Sequence, residues 1–260
     1  MLENKYVTFE VDGAIAVLTM NAPEKLNAFN QEMRLGLMQA TELIEVSDEI
    51  RVVVFTGAGR AFSAGADLTE GSGGHNSFVE QCAAEYKPWF MAMHNSSKIY
   101  IAAVKGACAG VASAAAMNCD LMIMSEDAFI YQAFSAIGLM PDMGASWLLL
   151  QKLGYQRAFE MAIDAGRLTA QECLELGVAN KVVSNETLMD EATAWAQHLA
   201  QGAPLAQSAT KKLMRAAYHM SYGEVIDEEA VQQSALIKSE DGRAAKQAFL
   251  NKEKPVFKGR

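Results

Sequence analysis

Residues 51–68 read RVVVFTGAGRAFSAGADL, and the chain on either side is best understood from this stretch. It begins with the apolar run 52–55, which is too short for most helices and rich in β-branched residues, so a buried strand is predicted. Small residues dominate the loop that follows. Because a loop with few side chains lets backbone N–H groups approach a ligand oxygen, we expect residues 65–67 to lie against a ligand.

Composition indicates an ordinary globular protein. The chain has 260 residues, of which 51% are hydrophobic and 20% charged, enough for a sizeable core. A net charge of −9 disfavours a broad nucleic-acid-binding surface. Residues 1–10 are charged and predict the start of a strand rather than a signal peptide, and no apolar run has the length of a membrane span. We therefore expect a cytoplasmic protein with neither a nucleic acid nor a membrane as partner.

Cysteine and histidine spacing gives no sign of a metal site. The four cysteines lack any C-x-x-C pair, and the four histidines are scattered. We expect free thiols in a reducing compartment and no bound metal. The cysteines are Cys82, Cys108, Cys119 and Cys173.

Alternating and helical hydrophobic patterns predict an α/β protein. Strands are predicted at 5–10, 14–20, 52–55, 99–104, 119–124 and 179–183, the first two joined by a hairpin turn at Asp12–Gly13. Helices are predicted at 30–46, 77–94, 110–117, 146–153, 156–163, 169–176, 186–201, 204–219 and 222–238. The Gly/Ser-rich segment 70–76 is predicted to be a mobile loop. We divide the chain into a core at 1–195 and a helical C-terminal region at 196–260.

The small-residue loop partly matches two common motifs, a dinucleotide-binding loop and a serine nucleophile elbow, and neither is favoured. The sequence GAG at 57–59 follows a strand, as in a dinucleotide-binding fingerprint, but Phe62 occupies the third glycine position. Ser63 lies in AFSAG, which approximates a nucleophile elbow. The histidines His198 and His219, which would have to serve such a serine, fall within predicted helices. A serine that bonds to nearby backbone is the favoured interpretation.

Four blocks resemble, in the correct order, those of the enoyl-CoA hydratase/isomerase (crotonase) superfamily, closest in their motifs to its isomerase-like branch. They are MNAPEKLNAF at 20–29, GAGRAFSAGADL at 57–68, VKGACAGVASAAAMNCDLMI at 104–123 and FSAIGLMPDMGASWLL at 134–149. The resemblance implies a crotonase fold, with a repeated ββα spiral core and a helical C-terminal trimerisation region. It also implies a homotrimer or a dimer of trimers.

The same resemblance implies an acyl-CoA thioester substrate and an oxyanion hole made of two backbone N–H groups. One donor would be Ala66, and the other Val111, which follows Gly110 at the start of the small-residue helix. Such donors stabilise a developing enolate by several kcal/mol, and the helix N-terminus adds a partial positive charge. Valine stands where the family usually carries glycine, so its side chain is expected to narrow the acyl slot.

Coenzyme A contacts are also implied, with coenzyme A as part of the substrate and no separate cofactor. Candidate residues in the chain itself are Lys25, Leu26, Ala28, Ala64, Gly65, Asp67 and Leu68. Two C-terminal residues, Phe257 and Lys258, are expected to reach the ligand of a neighbouring subunit.

Hydratases of this superfamily use two glutamates, and the corresponding positions here are Ala114 and Phe134. Neither side chain can carry a proton, so efficient hydration of 2-enoyl-CoA is not expected. Phe134 is expected to shape the acyl pocket instead.

Asp142 is the candidate base within the blocks, at a position where several isomerases of the superfamily place their single carboxylate. We expect its apolar neighbours Leu139, Met140, Met143 and Trp147 to desolvate it and raise its pKa. The alternative is that Asp142 caps the helix that begins near Gly144.

The sequence thus predicts a Δ3,Δ2-enoyl-CoA isomerase that uses Asp142 for a 1,3-proton shift. The alternatives are an acyl-CoA hydrolase or dehalogenase that uses Asp142, and a non-catalytic acyl-CoA-binding protein. His94 lies near the place of a dehalogenase histidine, but a helix-end histidine is the favoured interpretation.

Overall fold

The computed structural model describes residues 2–71 and 73–260, and the strands within them form two sheets. The strands are β1 Val7–Asp12, β2 Ile15–Met20, β3 Val52–Gly57, β4 Ile99–Val104, β5 Ala107–Ala109, β6 Leu121–Ser125, β7 Phe129–Tyr131, β8 Arg167–Thr169 and β9 Lys181–Val183. The larger sheet has the order β1-β2-β3-β4-β6-β9, and the smaller one has the order β5-β7-β8.

Helices surround the sheets. They are α1 Gln31–Val46, α2 Phe78–Gln81, α3 Lys87–Asn95, α4 Val111–Asn118, α5 Ala145–Leu153, α6 Tyr155–Ile163, α7 Ala170–Glu175, α8 Leu188–Ala200, α9 Pro204–Ala216, α10 Tyr222–Lys238 and α11 Glu240–Asn251. Among the helices in the described part of the chain, none combines the length and apolarity needed to span a membrane.

The larger sheet is covered on both faces, which explains why β3 is an unbroken apolar run. All six residues of β3 are buried. Because side chains alternate between faces, Val53 and Phe55 pack with α1, α3 and α4, whereas Val52 and Val54 pack with α8. Helix α8 is continuous across 195 and 196, where the sequence suggested a division.

The predicted hairpin is confirmed. Strands β1 and β2 pair antiparallel with Asp12 opposite Ile15, and the neighbours β2, β3, β4, β6 and β9 pair parallel. The chain turns at Gly13, which has a φ of +56°. The predicted α/β class and the strands at 52–55 and 99–104 are confirmed.

Several elements differ from the prediction. The helix expected at 77–94 is α2, then a π-helical segment Cys82–Tyr86, then α3. Three short strands (β5, β7 and β8) and helix α11 were not predicted. A strand of three residues is too short to show a hydrophobic period, so these strands leave little trace in the sequence. The predicted loop at 70–76 is a loop at the residues described, and residue 72 lies outside them, as does Met1.

Candidate active site

The glycine loop, residues 57–68, is positioned by pairing on both of its sides. On one side Ser63 bridges Cys108 of β5: its N–H donates to Ala107 O at 3.0 Å and its carbonyl accepts from Ala109 N at 3.0 Å. The Ser63 hydroxyl is fully buried and donates to the Asn27 carbonyl at 2.7 Å. The interpretation of Ser63 as a serine bonded to backbone is therefore confirmed.

Asn27 holds the turn before the loop, and sequence reasoning missed it. Its side chain is fully buried and its φ is +52°, in the left-handed region that asparagine tolerates. The amide nitrogen donates to the carbonyls of Ala58, Ala61 and Phe62 at 2.8, 2.9 and 3.1 Å. The amide oxygen accepts from Ala22 N at 2.8 Å. One asparagine thus bonds to four backbone groups, and three of these bonds are buried.

The glycine loop and the start of α4 touch through two glycines. A Cβ on Gly65 would lie 2.9 Å from Ala109 O and 3.7 Å from Gly110 Cα, so glycine is required for this approach. The next residues in the two segments are Ala66 and Val111. The structure therefore brings together the two predicted oxyanion donors.

Both donor N–H groups are available to a ligand. Phe29 bonds to Gly65 O and to Asp67 N, at 2.8 and 3.1 Å, so the intervening Ala66 N–H points to the opposite side of the loop. Val111 is the first residue of α4, where the N–H has no intrahelical acceptor. Within the described residues no hydrogen bond uses either N–H.

Asp142 lies just before α5, with a buried and unpaired carboxylate oxygen. Its Oδ1 has no hydrogen-bond partner among the residues that the structure describes. Burial raises the pKa of Asp142 from 3.8 to about 6, and a bond to its own backbone opposes the shift. Helix α5 packs against α4, whose first residue is Val111.

The alternative prediction, that Asp142 caps α5, is wrong. The N-cap is Gly144, and no side chain accepts a hydrogen bond there. Met143 and Gly144 have φ values of +47° and +81°, so the chain makes a left-handed turn between Asp142 and the helix. This turn separates the Asp142 side chain from the free N–H groups of α5.

The environment of Asp142 differs from the one expected. Leu139 and Met140 are 57% and 72% exposed, so the prediction that they desolvate Asp142 is wrong. The Asp142 carboxylate lies close enough to Cys82 and Tyr86 of the π-helical segment for its charge to act on both. Burial raises the pKa of Tyr86 to about 12; Arg34 opposes this shift and the Asp142 charge adds to it. Burial, and to a smaller extent the Asp142 charge, also raises the pKa of Cys82.

Cys82 also meets the turn that follows Asp142, since its Sγ lies 3.9 Å from Met143 Sδ. Insertions that form π-helical turns are frequent at functional sites. The contacts of Cys82 and Tyr86 place this π-helical segment beside the candidate base.

A buried ion pair fixes that segment, and it too was missed. Arg34 of α1 is 1% exposed and donates from Nε to Glu85 Oε2 at 2.7 Å. Arg34 also pairs with Glu70 at 2.8 Å, and His75 Nε2 lies 2.8 Å from Glu85 Oε1. Glu70 and His75 both belong to the loop at 70–76, which is therefore anchored to α1 and to the π-helical segment.

Apolar side chains occupy the two positions that carry glutamates in hydratases. Ala114 is fully buried in α4, and Phe134 is 6% exposed. The Phe134 Cζ lies 3.8 Å from the place of a Cβ on Gly110, so its ring borders the donor pair. Proton transfer at these two positions is excluded by the chemistry of their side chains.

Most predicted coenzyme A residues come together beside Gly65. Lys25 Nζ lies 3.0 Å from Asp67 Oδ2, and the Leu26 carbonyl accepts from Ala64 N at 2.8 Å. Bonds from Thr69 and then Lys25 lower the pKa of Asp67 to about 2. Ala28 is half-buried, whereas Ala64 and Leu68 are exposed. These segments form one accessible edge of the loop.

Phe257 and Lys258 lie at the other end of the sheet. The Phe257 carbonyl accepts from Arg51 Nη2 at 2.8 Å, and Lys258 N donates to Asp241 Oδ1 at 2.7 Å. Arg51 precedes β3, whereas the glycine loop follows it, and six strand residues span roughly 20 Å. Within one chain these two residues do not join the site.

His94 is held at the end of α3. Its Nδ1 lies 3.1 Å from Asn118 Oδ1, and its ring packs edge-on against Trp147 at 6.2 Å. Burial lowers the pKa of His94. These contacts support the interpretation of His94 as a helix-end residue.

Comparison with known proteins agrees with this geometry. A family model described as enoyl-CoA hydratase/isomerase matches residues 10–260. The chain is 36% identical to a probable enoyl-CoA hydratase of Rhodobacter capsulatus, covering 98% of each protein. It is 33% identical to a 1,2-epoxyphenylacetyl-CoA isomerase of Escherichia coli, covering 98% of this chain and 99% of that one.

A solved structure supports the same assignment. The fold superimposes on an enoyl-CoA hydratase structure from Geobacillus kaustophilus with a TM-score of 0.93 at 31% identity, covering 99% of this chain and 100% of that one. The predicted crotonase fold is thereby confirmed. The chain belongs to the enoyl-CoA hydratase/isomerase family.

Proposed function

We propose that this protein is an enoyl-CoA isomerase that moves the double bond of a 3-enoyl-CoA to C2. The observation that carries the proposal is the half-buried Asp142 side chain, whose buried Oδ1 has no partner among the described residues. The apolar side chains of Ala114 and Phe134 disfavour hydration. Relatives include both hydratases and isomerases, so the choice of reaction rests on the side chains of this site.

The proposed reaction needs one base and one oxyanion hole. Asp142 removes a proton from C2, and the electron pair left on C2 is delocalised onto the thioester oxygen and C4. The N–H groups of Ala66 and Val111 donate to that oxygen, which carries the negative charge of the dienolate. Asp142 then returns the proton to C4, leaving the double bond between C2 and C3. No other reactant is consumed.

The acidity of Asp142 suits this role. A carboxylate of ordinary pKa is a weak base toward a thioester α-carbon, and a pKa of about 6 brings it closer to the optimum near neutral pH. An oxygen without a competing hydrogen bond can also approach the substrate carbon directly. The same carboxylate would serve a hydrolase or dehalogenase as nucleophile or base, which keeps those reactions as the second candidate.

Coenzyme A would lie along the edge formed by 25–28 and 64–68. Lys25 is well placed for a phosphate because its side chain is 54% exposed and its partner is the edge residue Asp67. Asp67 would have to share Lys25 with the ligand. The CoA moiety would remain outside the apolar slot beside Phe134.

We also propose a homotrimer or a dimer of trimers, in which Phe257 and Lys258 approach the ligand of a neighbouring subunit. Large apolar side chains on the C-terminal helices support an interface between subunits: Tyr222 and Phe249 are 83% and 82% exposed. Mass measurement by light scattering tests this assembly, and a monomer at micromolar concentration would contradict it.

Incubation of the purified protein with 3-hexenoyl-CoA, followed by chromatography and mass spectrometry, tests the reaction. A 2-hexenoyl-CoA product of unchanged mass supports the isomerase. Release of free coenzyme A would instead support the hydrolase, and tight binding without turnover would support an acyl-CoA-binding protein.

A further inference from the structure

A second cavity lies away from the candidate active site. It has a volume of about 580 Å³ and is bounded by the C-terminal ends of α3 and α4, by α5 and by α9. Asp142, Ala66 and Val111 are not among its lining residues. The cavity separates the α/β core from the first helix of the C-terminal region.

One wall of the cavity is aromatic and apolar. Trp147 packs edge-on against Tyr218 of the C-terminal region at 5.6 Å and against His94 at 6.2 Å. Leu148 and Met214 extend this wall. Such a surface suits the hydrocarbon part of a ligand.

Three cationic side chains also line the cavity: Lys152, Lys211 and Arg215. Lys211 and Arg215 share one carboxylate, Asp120, at 2.8 and 2.7 Å. Arg215 also donates to the carbonyls of His94 and Asn118, which end α3 and α4. Lys211 and Arg215 therefore bind α9 to the core. Asp120 neutralises only one of their two positive charges.

Lys152 is the third cation of this group, beside the Lys211 and Arg215 that pair with Asp120. It stands in the last turn of α5, and burial lowers its pKa. No hydrogen bond or ion pair joins its ammonium group to another residue in the described part of the chain. The nearby Asp120 attracts Lys152 but is already paired with Lys211 and Arg215. Because a partly buried charge that lacks a full counter-ion is unfavourable, an anion beside Lys152 would be stabilising.

We propose that this cavity is a second binding site, for a small amphipathic carboxylate whose carboxylate pairs with Lys152 and whose hydrocarbon part packs on Trp147. The net positive charge of the three cations and Asp120 favours an anionic ligand. The apolar wall favours a ligand that also has a hydrocarbon part. The site is independent of the reaction proposed for Asp142. A bound ligand would bridge α5 and α9 and stabilise the folded protein.

Octanoate is a suitable probe, measured by calorimetry and by the shift in Tm of the full chain at low salt. The wild type should bind it with a Kd of about 1 mM or tighter. Lys152→Met should weaken binding by about tenfold or more, as expected for loss of a charged partner. Lys212→Met is the matched control, because Lys212 is the exposed neighbour of Lys211 and should leave the Kd unchanged.

Two further comparisons separate this site from others. Octanol, which lacks the carboxylate, should give a much smaller Tm shift than octanoate. Asp142→Asn should bind octanoate as the wild type does. The proposal is overturned by octanoate binding that survives Lys152→Met unchanged, by equal binding of octanol, by dependence on Asp142, or by no binding to the wild type.

Discussion

The backbones of Gly65 and Gly110 are in contact, with a Cβ on Gly65 placed only 3.7 Å from Gly110 Cα. Each glycine precedes a residue whose N–H is unused within the described residues, Ala66 in one case and Val111 in the other. The distance between the two donors is therefore set by a contact that tolerates no side chain at Gly65.

Gly65→Ala should disrupt this arrangement. Gly65 has a φ of +96°, and an added Cβ would lie 2.9 Å from Ala109 O, so alanine brings both backbone strain and steric overlap. Together they should lower the free energy of unfolding by roughly 2–4 kcal/mol. Displacement of either donor should lower kcat/KM for 3-hexenoyl-CoA by about 100-fold or more. Gly74→Ala is the control, since Gly74 has a φ of +86° with nothing within 4 Å, and its activity should be retained. Full activity in Gly65→Ala would contradict the assignment.

Asn27→Ala should destabilise the protein by roughly 2–4 kcal/mol, because four backbone groups, three of them in buried bonds, lose their partner. Denaturant unfolding monitored by fluorescence measures the change. Asn21→Ala is the matched control, since the Asn21 side chain makes one long bond of 3.5 Å and its loss should stay below about 0.5 kcal/mol. Equal effects of the two substitutions would remove Asn27 from its structural role.

Hydration of crotonyl-CoA should be absent or slow, with a kcat well below ~10 s⁻¹, because Ala114 and Phe134 cannot transfer protons. Loss of the enoyl absorbance in a spectrophotometer measures the rate. A kcat typical of hydratases would show that another group activates water and would overturn the interpretation of these two positions.

Asp142 should make stability depend on pH. Its pKa in the folded protein, about 6, exceeds the ordinary value of 3.8, so the folded state holds the proton more tightly than the unfolded chain does. The resulting stabilisation is fully present below pH 3.8 and is lost as the pH rises through about 6. Asp142→Asn should remove this dependence and be more stable than the wild type at pH 7 by roughly 1–3 kcal/mol.

Urea unfolding of both proteins between pH 4 and pH 7 measures this difference. The gap between Asp142→Asn and the wild type should widen across that interval. Parallel stability curves for the two proteins would show that Asp142 is not desolvated in the folded state.

Short motifs made much of the site predictable from sequence. The blocks at 57–68 and 104–123 placed Ala66 and Val111 together, and the short apolar run at 52–55 predicted the central strand. Both predictions depend on residues that are near one another in the chain or on a pattern the family shares.

The missed features depend on contacts between distant positions. Asn27 bonds to residues 31, 34 and 35 positions away, and Arg34 meets Glu85 across 51 positions. An asparagine in a polar turn and an arginine on a helix look like solvated residues until the partners are known. The π-helical turn likewise has no hydrophobic signature, because one inserted residue only shifts the helical phase.

The proposed role of Asp142 is that of the base of a double-bond isomerase. Its most direct test is the kcat of Asp142→Asn with 3-hexenoyl-CoA, measured beside its unfolding curve. We expect kcat to fall by about 10²–10⁴-fold while the folded state stays at least as stable as in the wild type. Isomerase activity retained in a folded Asp142→Asn variant would contradict this role.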